Sequence, residues 1–130
     1  MYIEEAIVTE LSTITGLTSK VFPIEAQQGT ATPYLTYRIN SGERARTLIG
    51  HDGLVTANYQ LDAFHTTYSN ILALRRLILA ELMTWERTNL GVTGPYIQGC
   101  TITEEPVETY DDETLLFQST IDIQLIYTES

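Results

Sequence analysis

The chain has 130 residues, of which 43% are hydrophobic and 18% are charged. This length and balance are typical of one soluble domain that buries roughly two thirds of its unfolded surface, so we expect a single domain over residues 1–130. The formal net charge of −10 argues against tight binding of DNA or RNA, because such affinity comes largely from Lys and Arg. The apolar runs are far shorter than the roughly 20 residues of a membrane-spanning helix.

The cysteine content and the N-terminus indicate where the protein is made. The lone Cys100 cannot form an intramolecular disulfide, and no basic region followed by an apolar run marks a secretory signal. We expect a bacterial or viral protein made in the cytoplasm of a bacterial host.

The first predicted element is a helix. Its apolar residues recur at helical steps of four, four and three, and they are Ile3, Ile7, Leu11 and Ile14. Gly16 is predicted to end this helix.

Two strands are predicted next. Val21, Phe22 and Ile24 form a short strand, and Pro23 within it cannot donate to a ladder, which favours a sheet edge. The second strand alternates between two faces, with Leu35, Tyr37 and Ile39 on one and Tyr34, Thr36 and Arg38 on the other.

Residues 41–53 contain three glycines and two arginines, and this composition predicts a long mobile loop. Arginine forks favour carboxylates at interfaces, so contact with an acidic partner or subunit is a hypothesis beside the simpler one of a soluble loop. The residues of this candidate assembly loop are Arg44, Arg46, Leu48, Ile49 and Asp52.

The second half of the chain predicts a strand, a helix and two more strands. Residues 54–64 alternate cleanly, which is typical of a half-buried antiparallel strand. Thr67 or Ser69 can cap a helix that runs to about Trp85. Its core stripe is Ile71, Leu74, Ile78, Leu82 and Trp85. The last strands cover about residues 97–107 and 115–127, and the final one, about 13 residues or roughly 40 Å long, is predicted to reach beyond its own domain.

The predicted order is α-β-β-β-α-β-β. Few helices and many hairpins favour an α+β fold, a two-layer sandwich whose mainly antiparallel sheet carries both helices on one face.

The chemical groups of the sequence do not predict catalysis, a cofactor or a metal. Neither His51 nor His65 lies in a recognised catalytic spacing with Ser, Cys or Thr. Cys100 is interpreted as a buried or semi-buried thiol rather than a reactive one. His51 and Asp52 could offer a metal two ligands, but turn chemistry explains their Gly-rich surroundings better. The sequence therefore predicts no enzyme.

An acidic run follows Cys100. It contains no Lys or Arg, and its members are Glu104, Glu105, Glu108, Asp111, Asp112 and Glu113. The simpler interpretation is a solvated hairpin turn, and the functional one is a patch that repels anions.

Two features favour assembly with other subunits. The outward faces of the central strands lack the lysines that commonly guard an isolated sheet. They carry the neutral polar residues Thr56, Asn58, Gln60, Gln118, Thr120 and Gln124. On the second helix, Leu72, Leu79 and Met83 form a separate apolar stripe, which either contacts the first helix or forms a subunit interface.

Several segments resemble the tail completion or tail-terminator family of long-tailed phages. They are the helix at residues 3–14, VFP (21–23), QGTATPYLTYRINSG (28–42), LIGHDGLVTANYQLDAF (48–64), TTYSNILALRRLILAEL (66–82) and IQGCTITEEPVETYDDETLLFQSTIDIQLIY (97–127). The resemblance covers nearly the whole chain, and its specificity lies in the order and spacing of short motifs. Phe64 stands where the family often has tryptophan, a conservative departure.

This resemblance implies an α+β sandwich that forms a hexameric ring on the head-proximal end of the tail tube. Such a ring stops tube growth and docks the head connector or stopper protein, so the implied partners are the protein itself, the major tail tube protein and the connector. It also implies a virion protein without enzymatic activity or cofactor, through which DNA passes without specific binding. The hexamer is expected on the tail, and a monomer is the alternative for the free protein. The acidic run would then line the channel or its rim. The alternatives are a small intracellular ligand-binding or regulatory α+β module and a hydrolase.

Overall fold

A computed structural model describes residues 2–26, 30–47 and 50–128, with the backbone alone for residues 43–47 and 50–53. Two helices and six strands lie in these described ranges. In chain order they are α1 (Ile3–Leu11), β1 (Val21–Pro23), β2 (Tyr34–Thr47), β3 (Gly50–His65), α2 (Tyr68–Leu82), β4 (Tyr96–Ile102), β5 (Val107–Asp111) and β6 (Leu116–Thr128).

The strands form one sheet in the order β1-β2-β3-β6-β4, and β5 also pairs with β6. Short β1 is parallel to β2 and lies at the edge, as Pro23 predicts. The other pairs are antiparallel. Because both helices contribute to the same core against one sheet face, the predicted α+β fold class is confirmed.

The core lies between the helices and alternate residues of the central strands. Val55, Ala57, Tyr59, Leu61 and Ala63 of β3 are all buried. The predicted core stripe of α2 is buried as well. Burial of one large aliphatic side chain contributes roughly 1.5–3 kcal/mol, so this layer supplies most of the stabilisation of the fold.

The first helix ends earlier than expected, at Leu11 rather than near Gly16. The backbone N–H and the hydroxyl of Thr13 both donate to the Glu10 carbonyl oxygen, at 3.2 and 2.6 Å. This three-residue hydrogen bond replaces the four-residue bond of an α-helix, so the helix ends here. Ile14 remains buried because the following turns carry it back to the core. Gly16 has a φ of +93°, and an added Cβ would lie 3.1 Å from Pro33.

The second helix begins where the sequence predicts. Oγ1 of Thr67 accepts a hydrogen bond from the Asn70 backbone N–H at 3.2 Å and so caps the helix. The helix ends at Leu82, and Trp85 lies buried just beyond it.

The loop predicted for residues 41–53 is wrong, because β2 continues to Thr47 and β3 begins at Gly50. The two strands pair up to Thr47 opposite Gly50, with register shifts between Ile39 and Ser41 and between Arg44 and Arg46. Backbone groups can form a ladder without apolar alternation, and bulges absorb the extra residues. Leu48 and Ile49 of the predicted assembly loop lie outside the described residues, and Arg44, Arg46 and Asp52 lie in the strands.

Another difference concerns the end of the chain, where three strands replace the two expected. Residues 103–106 interrupt the pairing, since Ile102 lies opposite Ile123 and Val107 opposite Thr120. Four residues thus face two on β6, and Pro106 has no N–H to donate. The last strand does have 13 residues. It does not reach out of the domain, however, because β3 occupies one edge and β4 and β5 share the other.

Candidate assembly surfaces

The outer face of the sheet is the side away from the helices. Thr56, Asn58 and Gln60 of β3 point to it, as the alternation predicts, and each is partly exposed. Gln118, Thr120 and Gln124 lie opposite or near them on β6 and are partly exposed too. The structure thus places both predicted sets on one polar face.

Asp62 lies at the centre of this face and is only 8% exposed. Its Oδ1 accepts hydrogen bonds from Gln118 Nε2 at 3.0 Å and Thr120 Oγ1 at 2.8 Å. Gln60 Nε2 donates to Oδ1 at 3.2 Å and to Oδ2 at 2.9 Å. The carboxylate therefore fixes three polar side chains from two strands. The sequence predicts that Asp62 points outward but gives no sign of this network, which depends on cross-strand register.

Aromatic rings lie at one end of the same face. Tyr34 stacks on Phe64 with ring centroids 4.7 Å apart, and Phe22 meets Tyr34 edge-on at 6.4 Å. Burial raises the pKa of Tyr34. Phe64, at the position where the tail completion family often has tryptophan, is thus part of a row of three aromatic rings.

The structure divides the predicted second stripe of α2. Leu72 and Leu79 are partly buried, and Leu79 packs against the core, whereas Met83 is 80% exposed. A more exposed stripe lies further round the helix and includes Leu77, which is 46% exposed. The sequence does not single out Leu77, because apolar residues occur almost all round this helix.

The six predicted acidic residues do not form one patch. Glu104 and Glu105 are exposed between β4 and β5, whereas Asp111, Asp112 and Glu113 are exposed at the other end of β5. The six steps from Glu105 to Asp111 span roughly 20 Å of extended chain. The prediction of a single solvated turn is therefore correct only for the second group.

Glu108 is separated from the other acidic residues, because its side chain faces α2 and forms an ion pair with Arg75. The side chain of Glu108 is 14% exposed and that of Arg75 is 29% exposed. Nε of Arg75 and Oγ of Ser119 are buried without a hydrogen-bond partner in the described part of the chain. Glu108 therefore attaches β5 to α2 and does not belong to an exposed surface.

Aromatic and apolar side chains cluster beside the second acidic group. Phe117 contacts Tyr110 with centroids 4.7 Å apart and Tyr68 at 5.8 Å. Leu115 is 63% exposed and has a φ of 59°, in the left-handed region. An apolar surface with carboxylates at its edge therefore lies at this end of the sheet.

Cys100 and His65, the candidate groups whose side chains the structure describes, lie apart from one another on different strands. Burial, together with Glu86, raises the pKa of the semi-buried Cys100 thiol to about 11, so the thiol stays protonated near neutral pH. Nδ1 of His65 accepts the Thr66 backbone N–H at 2.8 Å, and burial lowers its pKa. His51 lies in β3, where only the backbone is described. Within residues 2–26, 30–47 and 50–128, no three His, Cys, Asp or Glu residues are grouped to hold a metal.

A polar depression crosses the outer face, and it is lined by Asn40, Asn58, Gln60, Thr103, Glu104 and Asp122 among others. Its lining is hydrophilic and suits water or a polar protein surface better than an apolar ligand. In the described part of the chain, no helix has the length and apolar character needed to cross a membrane.

Comparison with known proteins places this arrangement in a structural class. No protein-family model matches the chain, and no curated protein is significantly similar to it. Among solved structures, the fold is similar to a chain from the virion of the native gene transfer agent (GTA) particle. The two chains share 7% identity and a TM-score of 0.64, over 97% of this chain and 94% of the other. At that identity the similarity shows a common α+β fold.

Proposed function

We propose that this protein is a structural component of a phage-like virion. The observation that carries the proposal is the fold similarity to a virion chain over nearly the full length of both chains. An outer sheet face of mostly neutral polar side chains, whose one central carboxylate, Asp62, accepts hydrogen bonds from Gln60, Gln118 and Thr120, supports it, since such a face can meet a neighbouring subunit.

Within the virion, the protein acts as a tail terminator. It forms a hexameric ring at the head-proximal end of the tail tube, stops tube growth and provides the surface to which the head connector docks. The sequence resemblance to the tail completion family supports this role. The protein's contacts are then with itself, with the major tail tube protein and with the connector.

Two segments have roles that belong to this proposal. The hairpin of β2 and β3, which carries the arginines at positions 44 and 46, contacts a neighbouring protein. The exposed carboxylates Glu104 and Glu105 line the channel or its rim, where their charge keeps DNA from binding. If tails that carry Glu104→Lys and Glu105→Lys eject DNA at the normal rate, the channel role of these two residues is wrong.

The main test is tail length and protein location. Because the ring stops polymerisation, phage that lack this gene should produce tails that exceed the normal length and do not join heads. Complementation with the intact gene should restore both. Electron microscopy with a tagged chain should show it at the head-proximal tail end.

The outcome also separates the proposal from its rival. A ligand-binding or regulatory module would leave tail length unchanged and would be absent from purified virions. Normal tails and normal head joining without this protein would overturn the proposed function.

A further inference from the structure

An exposed stripe on α2 carries both apolar and basic groups. Arg76, Leu77 and Ala80 of α2 and Met83 at its C-cap lie within an arc of about 120° of the helix circumference, since each residue turns the helix by about 100°. All four are exposed, and Met83 is the most exposed of its apolar residues. Arg76 makes no ion pair or hydrogen bond among the described residues, so its charge is available to a partner. We call this surface the helix stripe.

A second surface, at the end of the sheet, has the opposite charge. We call it the acidic end, and it consists of Tyr110, Asp112, Glu113 and Leu115, all exposed. The Phe117 ring packs against the Tyr110 ring, with the two centroids 4.7 Å apart. The Leu115 N–H donates to the Asp111 carbonyl oxygen at 2.8 Å, which fixes the turn that presents the leucine.

The turn holds Leu115 in a costly conformation. A non-glycine residue in the left-handed region is disfavoured by roughly 1–2 kcal/mol. The Leu115 side chain is mostly exposed, so its burial within the same molecule does not offset this cost. Contact with another molecule would give the exposed leucine an apolar environment.

We propose that the helix stripe of one copy packs on the acidic end of the next copy. Leu77 and Met83 meet Tyr110 and Leu115, and Arg76 pairs with the carboxylates at the edge. This inference rests on the proposed function, because it names the surfaces through which the ring closes. The partner is a second copy, since the charges and apolar groups of the two surfaces are complementary and each copy carries both.

The net charge of the chain strengthens this choice of surfaces. Two copies that each carry a net charge of −10 repel one another, and a contact that pairs a cation with carboxylates lowers this repulsion locally. The two surfaces are different, so the contact is heterologous and repeats head to tail until it closes. A few side chains bury less than the roughly 800 Å² per partner of a standard interface, so a single contact is weak. In a closed ring each subunit makes two such contacts at once, which holds it more strongly than one contact does.

Disulfide trapping tests the contact directly. In a Cys100→Ala background, a chain with Leu77→Cys and Leu115→Cys should form an oxidant-dependent ladder of linked subunits, which ends at a closed ring. The matched control combines Leu77→Cys with Val92→Cys, an exposed residue outside both surfaces, and should yield no ladder.

Charge reversal gives a second measurement. Arg76→Glu should reduce the yield of crosslinked subunits at least tenfold. Adding the two substitutions Asp112→Arg and Glu113→Arg to the same chain should restore that yield. Arg87→Glu makes the same charge change at an exposed arginine outside both surfaces and should leave the ladder unchanged.

The outcomes separate this inference from the proposed function. If the protein caps tails but the Leu77 and Leu115 cysteines do not crosslink and Arg76→Glu has no effect, the contact is wrong and the tail role stands. If the ladder forms while the protein is absent from virions, the contact stands and the tail role is wrong.

Discussion

At the scale of single residues, Asp62 shows how an exposed sheet face can contain a fixed charge. Three side chains donate to its carboxylate, and no described cation neutralises it. Hydrogen bonds to an ionised acceptor are among the stronger ones in proteins, so the carboxylate orders the polar surface around it.

Asp62→Ala should lower the free energy of unfolding by about 1–3 kcal/mol, because three partly exposed side chains lose the charged acceptor to which they donate. Urea denaturation measures this. Asp122→Ala is the control, since its described contacts use the backbone carbonyl oxygen and not the carboxylate. Equal effects of the two changes would contradict the assigned role of Asp62.

Cys100 provides a prediction about pH. Burial raises the thiol pKa from 9.0 to about 11, so below pH 9 the folded protein holds roughly a hundredfold less thiolate than the unfolded chain. Alkylation by iodoacetamide at pH 8 should be slower by at least that factor than in urea.

The same pKa difference predicts a loss of stability at high pH. A group whose pKa is raised on folding contributes stability that is complete below its unfolded pKa and is lost as the pH rises toward the folded value. Relative to Cys100→Ala, the natural chain should therefore lose stability between pH 9 and pH 11. A constant difference across that range would rule out the burial effect.

At the scale of elements, the short strand β5 depends on its contact with α2. Glu108 lies in this strand and Arg75 in the helix, and their ion pair is partly buried. Removal of one partner from a buried pair leaves an uncompensated charge, which destabilises far more than the loss of an exposed pair.

Glu108→Lys should destabilise the protein by roughly 1–3 kcal/mol, a figure reduced from that of a fully buried pair because Arg75 is partly exposed. The charge-swapped double variant, Arg75→Glu with Glu108→Arg, should recover part of the loss in thermal unfolding. Asp112→Lys is the matched exposed control and should change stability by less than about 0.5 kcal/mol. Equal effects at positions 108 and 112 would contradict the attachment of β5 through this pair.

At the scale of the whole molecule, helices cover one sheet face and leave the other polar and open. The helix stripe and the acidic end lie outside the core layer, so a change in either should alter association without unfolding the domain. Circular dichroism of the Arg76→Glu chain should accordingly match that of the natural chain.

The sequence by itself predicted the fold class, the core stripe of α2 and the inward and outward faces of β3, and it narrowed the cap of α2 to Thr67 or Ser69, of which the structure shows Thr67. These features depend on local periodicity and capping, which each segment carries within a few residues. It could not predict that residues 41–53 continue the strands, because a backbone ladder does not require apolar alternation.

Only the tertiary structure decided which charged groups act together. Glu108 lies three residues from the nearest acidic residues on either side, Glu105 and Asp111, yet strand alternation turns it toward Arg75, 33 residues away along the chain. Asp62 meets Gln118 and Thr120 only because the register of β3 against β6 places them opposite or diagonal to it. Such contacts are set by strand register and side-chain direction across the sheet, and a single sequence does not record which strands are neighbours.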